Sequence, residues 1–170
     1  YYYHFQYTLS LISFKKIIGL GLLEHGYRTP SSIFYLNSLF YLPGIKYFLI
    51  HSGAIYVFGF SLIYLFNNKF LKIDKKKFNP DFYLSILSFI FIITVFYRIA
   101  EHGTDRSALI LIFLLSVIYV ESLYEKKLHS EYVLQNYFEK ILVLVSLIVT
   151  FKSFYIIYFI FVFIWIYQFR

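Results

Sequence analysis

The chain has 170 residues, 60% of them hydrophobic and 25% aromatic, and a formal net charge of +7. Soluble domains hold about 45–50% apolar residues, and the mean hydropathy here is +0.68, so an ordinary soluble domain is excluded and a polytopic membrane protein is expected. The lack of Cys excludes disulfides, thiolate metal sites and a Cys nucleophile, and the positive charge bears on membrane topology rather than on nucleic acid, which is not an expected partner.

The chain contains no Met, opens on Tyr1 and stops at Arg170 after an apolar run, so it reads as an internal fragment of a longer protein. Residues 10–23, SLISFKKIIGLGLL, read as an interfacial helix with Lys15 and Lys16 at the headgroups. The polar stretch LLEHGYRTP follows. The run 31–42, SSIFYLNSLFYL, would be about 18 Å long as a helix, too short to cross easily, and Pro43-Gly44 breaks it. Residues 45–67 give the first complete span, roughly 34 Å long. Residues 82–99 give a second, roughly 27 Å long, and residues 107–124 a third. Residues 141–151 and 154–169 flank Lys152-Ser153. One continuous helix there would put Lys152 near the bilayer centre at a cost of about 2.5–3.5 kcal/mol. Two short helices broken at Lys152 bring the ammonium to water or a cavity, which is the preferred arrangement. The expected fold is all-α, one polytopic transmembrane helical bundle over residues 1–170 with short interfacial helices before the first complete span.

Lysines set the expected orientation. Loop 68–81 carries Lys69, Lys72, Lys75, Lys76 and Lys77, and loop 125–140 carries Lys126, Lys127 and Lys140, so both are expected in the cytoplasm. Loop 100–106 and segment 1–44 are then extracytoplasmic. Had residues 31–42 crossed the bilayer, the two EHG clusters, Glu24-His25-Gly26 and Glu101-His102-Gly103, would face opposite sides. Of the nine acidic residues, six fall in or beside the cytoplasmic loops, and the other three are Glu24, Glu101 and Asp105 in the outer clusters.

Several structural roles compete with chemistry at these positions. In EHGTDRS, Thr104 or Asp105 can cap the third span, Gly103 can turn the chain and Arg106 can snorkel. In EHGYRTPSS, Gly26 and Pro30 punctuate a turn and Ser31 or Ser32 can cap a helix. His51 and Asn37 read as satisfied helix polars, and the aromatic runs as lipid-facing packing. A functional use of the same residues takes a carboxylate as general base or metal ligand and an arginine as a bidentate phosphate clamp. His25 and His102, with the nearby acids, are candidate ligands for a divalent cation, but no tight spacing such as H-x-x-x-H occurs and no cofactor is assigned. Lys152 is a functional candidate by its depth in an apolar run, against the alternative of a snorkelling lysine at a helix break. No Gly-rich phosphate loop and no G-x-S-x-G is present, so the energy source is expected to be an activated donor within the membrane.

The stretches GLGLLEHGYRTPSSIFYLNSLFYLPG, YRIAEHGTDRSALILIFLL and LIVTFKSFYII together resemble an uncharacterised family of bacterial polytopic proteins that is similar to GT-C glycosyltransferases, the class of the dolichyl-phosphate-mannose protein mannosyltransferases. Tyr3-His4 matches the family's aromatic-His pair, Gly21, His25, Arg28, Ser31 and Ser32 its second element, Gly103 to Arg106 its third, and Lys152 its fourth. The family's early acidic residue would fall before Tyr1. The resemblance implies transfer of a sugar from a polyprenyl-phosphate carrier at the outer face of the bacterial inner membrane. Arg28, Arg106 and Lys152 would hold the phosphate, with His4, His25 and His102 beside the substrate. Glu24, Glu101 or Asp105 would act as base, position the acceptor or hold a cation. Two other classes compete, a transporter or flippase segment and a glycan polymerase or ligase segment. The nearly charge-free middles of the first three spans speak against a transport path.

Overall fold

The computed structural model describes residues 3–14, 22, 28, 31–70, 80–97, 104–125 and 131–169. The elements are helices α1 (Tyr3–Ser13), α2 (Ser32–Ser38), α3 (Ser52–Phe70), α4 (Pro80–Val95), α5 (Thr104–Glu125), α6 (Glu131–Phe151) and α7 (Phe159–Phe169), with 3-10 turns at Tyr47–Leu49 and Ser153–Tyr158. The fold is all-α, and pairing of extended chain among the described residues is limited to the isolated bridge between Leu42 and Lys46.

Among the described residues, three segments are long and apolar enough to cross a membrane: Tyr47–Asn67, Asp105–Tyr124 and Val133–Phe151. Two apolar helical stretches are shorter, Pro80–Val95 and Ser153–Gln168. The third long segment differs from the sequence expectation. Residues 125–140 were expected as a loop and 141–151 as a short helix, but α6 starts at Glu131. Its first turns, EYVLQNYFEK, place Val133, Leu134, Tyr137 and Phe138 at the three-four spacing of one helical face. Leu134, Tyr137 and Phe138 pack onto the core, so the helix continues through the charged stretch. The run at 31–42 also differs, since its helix stops at Ser38 and gives way to turns. Gly44, at φ 89°, supplies the left-handed conformation that the reversal needs.

Helix α5 is the centre of the bundle. Ala108, Ile110, Leu115, Val117 and Ile118 are almost fully buried along it, and α3, α4 and α6 pack around it. Phe66 on α3 meets Phe89 on α4, and Phe91 on α4 meets Phe113 on α5, with ring centroids 6.2 and 4.9 Å apart. Helices α5 and α6 form an antiparallel hairpin, because Asp105 at the start of one touches Lys152 just past the end of the other. The chain then turns back, and Trp165 on α7 packs on Phe138 of α6 at 4.9 Å.

The bundle carries its polar atoms in a form suited to an apolar medium. Ser85, Ser116, Ser122 and Ser146 donate their hydroxyls to carbonyls three or four residues back on their own helices, at 2.6–2.9 Å. Such bonds satisfy a hydroxyl where no water is at hand. The outward faces are apolar instead, as at Phe60, Leu87 and Phe163, each about two-thirds exposed. A surface this apolar suits lipid rather than water.

Candidate functional site

Helix α6 ends at Phe151, and its last carbonyls have no partners within the helix. The buried Ser31 hydroxyl donates to the carbonyl of Phe151, bridging 120 residues of sequence. Ser31 is the N-cap residue of α2, yet its side chain makes no capping bond to that helix. The hydroxyl expected to cap α2 is spent on the end of α6.

Lys152 follows with an extended backbone, φ −149° and ψ 108°, and the chain resumes as a 3-10 turn. The extended residue swings its side chain off the axis of α6. Its ammonium meets the Asp105 carboxylate at 2.9 Å. Both charges suit their helices. Asp105 lies in the first turn of α5, where the dipole is positive, and Lys152 lies past the last turn of α6, where it is negative. The Lys152 side chain is 30% exposed and that of Asp105 57%, so the pair stabilises by at most about 1 kcal/mol. It is weak enough to exchange partners.

His4, on α1, comes within electrostatic reach of both charges. Its ring packs against Phe34 of α2 at 5.3 Å between centroids, and Tyr7, one turn along α1, packs on the same Phe34 at 4.9 Å. Burial lowers the His4 pKa below its ordinary value of 6.5; Asp105 opposes that shift and Lys152 adds to it. The imidazole is therefore neutral near pH 7. Tyr155, in the turn after Lys152, also feels both charges.

Of the residues singled out from sequence, the structure brings His4, Asp105 and Lys152 together. Arg106 follows Asp105 in the first turn of α5 and is half-buried. Arg28 is exposed. Glu24, His25, Glu101 and His102 lie outside the described residues. Among the described residues, no group of three or more His, Cys, Asp or Glu side chains gathers as a metal site. The sequence offers Ser31, with Ser32, as a helix cap and as part of the resemblance's second element, and does not single out Tyr155. Both join the others only through tertiary packing, and nothing in their local spacing marks them.

Asn37 is not the satisfied polar side chain that sequence suggested. It is 1% exposed, and neither amide atom has a hydrogen-bond partner. It packs where α2 crosses the start of α3, against Gly53, whose missing side chain makes the space.

The assembled group has a cation, a carboxylate and a neutral imidazole at one end of the bundle. An incoming phosphate can draw Lys152 away from Asp105, which leaves a carboxylate able to accept a proton. Compared with family models, curated proteins and solved structures, the chain matches none of them.

Proposed function

We propose that the chain is part of a multi-pass cell-envelope protein of the bacterial inner membrane, a GT-C-like glycosyltransferase segment that acts on a polyprenyl-phosphate-linked sugar at the extracytoplasmic face. The observation that carries this reading is the meeting of His4, Asp105 and Lys152, from three distant parts of the chain, at one end of an apolar bundle. In the sequence, lysine-rich stretches follow the C-terminal ends of α3 and α5, which favours an outward-facing site at the opposite, N-terminal ends of these helices.

In this reading Lys152 and Arg106 face the carrier phosphate. Asp105, released from Lys152, takes the proton of the acceptor hydroxyl as that oxygen bonds to the anomeric carbon. The bond from that carbon to the phosphate oxygen breaks, and the carrier leaves as its phosphate, with the developing charge held by the two cations.

The test is transfer of a radiolabelled sugar from a polyprenyl-phosphate donor by the full-length protein in liposomes. Lys152→Met and Asp105→Asn should each lower the transfer rate by about a hundredfold or more. Transfer unchanged in both variants, or carrier-independent solute flux with no sugar transfer, would overturn the reading.

A further inference from the structure

Helices α3 and α6 both pack on α5 but splay apart from each other, and a cleft of about 630 Å³ opens between them. Leu111 and Leu114 of α5 form its floor, and Val57 and Leu147 form facing walls. Its rim includes the exposed Phe60 and Ile63, so it opens sideways where a membrane-spanning bundle meets lipid. A volume of this size falls within the range of small-molecule sites.

The two ends of the cleft differ. Leu36 of α2 and Phe151 of α6 close one end. Phe151 is the residue whose carbonyl Ser31 holds, and the next residue is Lys152, paired with Asp105. The apolar cleft therefore ends beside the polar cluster. From Tyr56 to Asn67 the cleft follows α3 over twelve residues, about 16 Å from first to last at 1.5 Å rise per residue. Along that length its lining is apolar except for Tyr56, Ser61, Tyr64 and Asn67.

We propose that this cleft holds the hydrocarbon chain of a phosphate-headed carrier lipid whose head lies at Lys152. The assignment rests on the function proposed above and adds to it a second point of recognition. A cation at one end and a long apolar trough running from it match an amphiphile with one anionic head and one extended chain. Burial of that chain against Leu114 and Leu147 holds the lipid, and Lys152 sets its register.

The test uses full-length protein in phosphatidylcholine nanodiscs and a polyprenyl phosphate with a diazirine in its chain. Photolabel should concentrate on the peptides bearing Val57, Leu114 and Leu147, and unlabelled polyprenyl phosphate should displace it while the phosphate-free polyprenol does not. Leu147→Trp and Ile63→Trp, at partly exposed positions on the cleft, should each cut labelling at least tenfold. Leu142→Trp, on α6 away from the cleft, should leave it unchanged. Equal labelling of the cleft and of the outer face of α7 around Phe163 would overturn the proposal, as would displacement by polyprenol. Labelling requires no turnover. A labelled cleft in a protein that transfers no sugar would sink the transferase reading alone, and full transfer by Leu147→Trp would sink the cleft alone.

Discussion

Lys152 joins an extended backbone to an ion pair, and each depends on the other. A lysine continuing α6 would project into the packed bundle, whereas the extended residue reaches Asp105 at 2.9 Å. The partial exposure of both side chains limits their coupling. A double-mutant cycle of Lys152→Met and Asp105→Asn, read by thermal unfolding in detergent, should give a coupling of about 1 kcal/mol or less. A coupling several times larger would mean that the pair is locked and unable to release Asp105. His4 carries a different signature. Its folded-state pKa is lowered, chiefly by burial, so the unfolded chain binds the proton first. Its contribution is fully present above the ordinary value of 6.5 and is lost as pH falls below it. Unfolding between pH 7 and 5 should show stability falling toward acid, with a shallower fall in His4→Phe. Equal slopes in the two proteins would contradict the burial of His4 beside Asp105 and Lys152.

At the scale of elements, short polar contacts decide where helices stop and cross. Ser31→Ala leaves the Phe151 carbonyl without its donor, and an unsatisfied buried group costs about 1–3 kcal/mol. The loss should appear as a lower unfolding midpoint, and Ser31→Thr, which keeps a hydroxyl, should recover part of it. Gly53→Ala places a methyl group against the Asn37 side chain and 3.1 Å from Leu36, and overpacking of that kind costs about 1–3 kcal/mol. The cost should shrink in an Asn37→Ala background. If Gly53→Ala costs the same in both backgrounds, the close approach of α2 to α3 is wrong.

Hydropathy made the apolar helices legible, because a run such as SALILIFLLSVIYV has only one stable form in a bilayer. It hid the start of α6, where Gln135, Glu139 and Lys140 interrupt the apolar run and resemble a loop until the three-four spacing of Leu134, Tyr137 and Phe138 is followed into the core. The polar cluster was legible in its charges and in His4, which the resemblance marks. Asp105 and Lys152 stand out because charges are rare in such a chain, but Ser31 and Tyr155 resemble the many other serines and tyrosines until packing places them. Asn37 was misjudged for the same reason, since its burial depends on how α2 crosses α3 rather than on its neighbours in sequence.

For the whole molecule, the arrangement of α5 and α6 puts Thr104 and Ser153 at one end of the bundle, with Asp105 and Lys152 between them. Asn68, in the last turn of α3 ahead of the lysine-rich segment, marks the other end. The chain has no Cys, so one introduced thiol reports one position. Single Cys variants at Thr104, Ser153 and Asn68 of the full-length protein, labelled in intact cells with a membrane-impermeant maleimide, therefore test whether the polar cluster faces outward. Thr104→Cys and Ser153→Cys should label in intact cells, and Asn68→Cys only after permeabilisation. If Thr104→Cys and Ser153→Cys stay silent until the membrane is opened, the cluster faces the cytoplasm and the proposed outer-face transfer is contradicted.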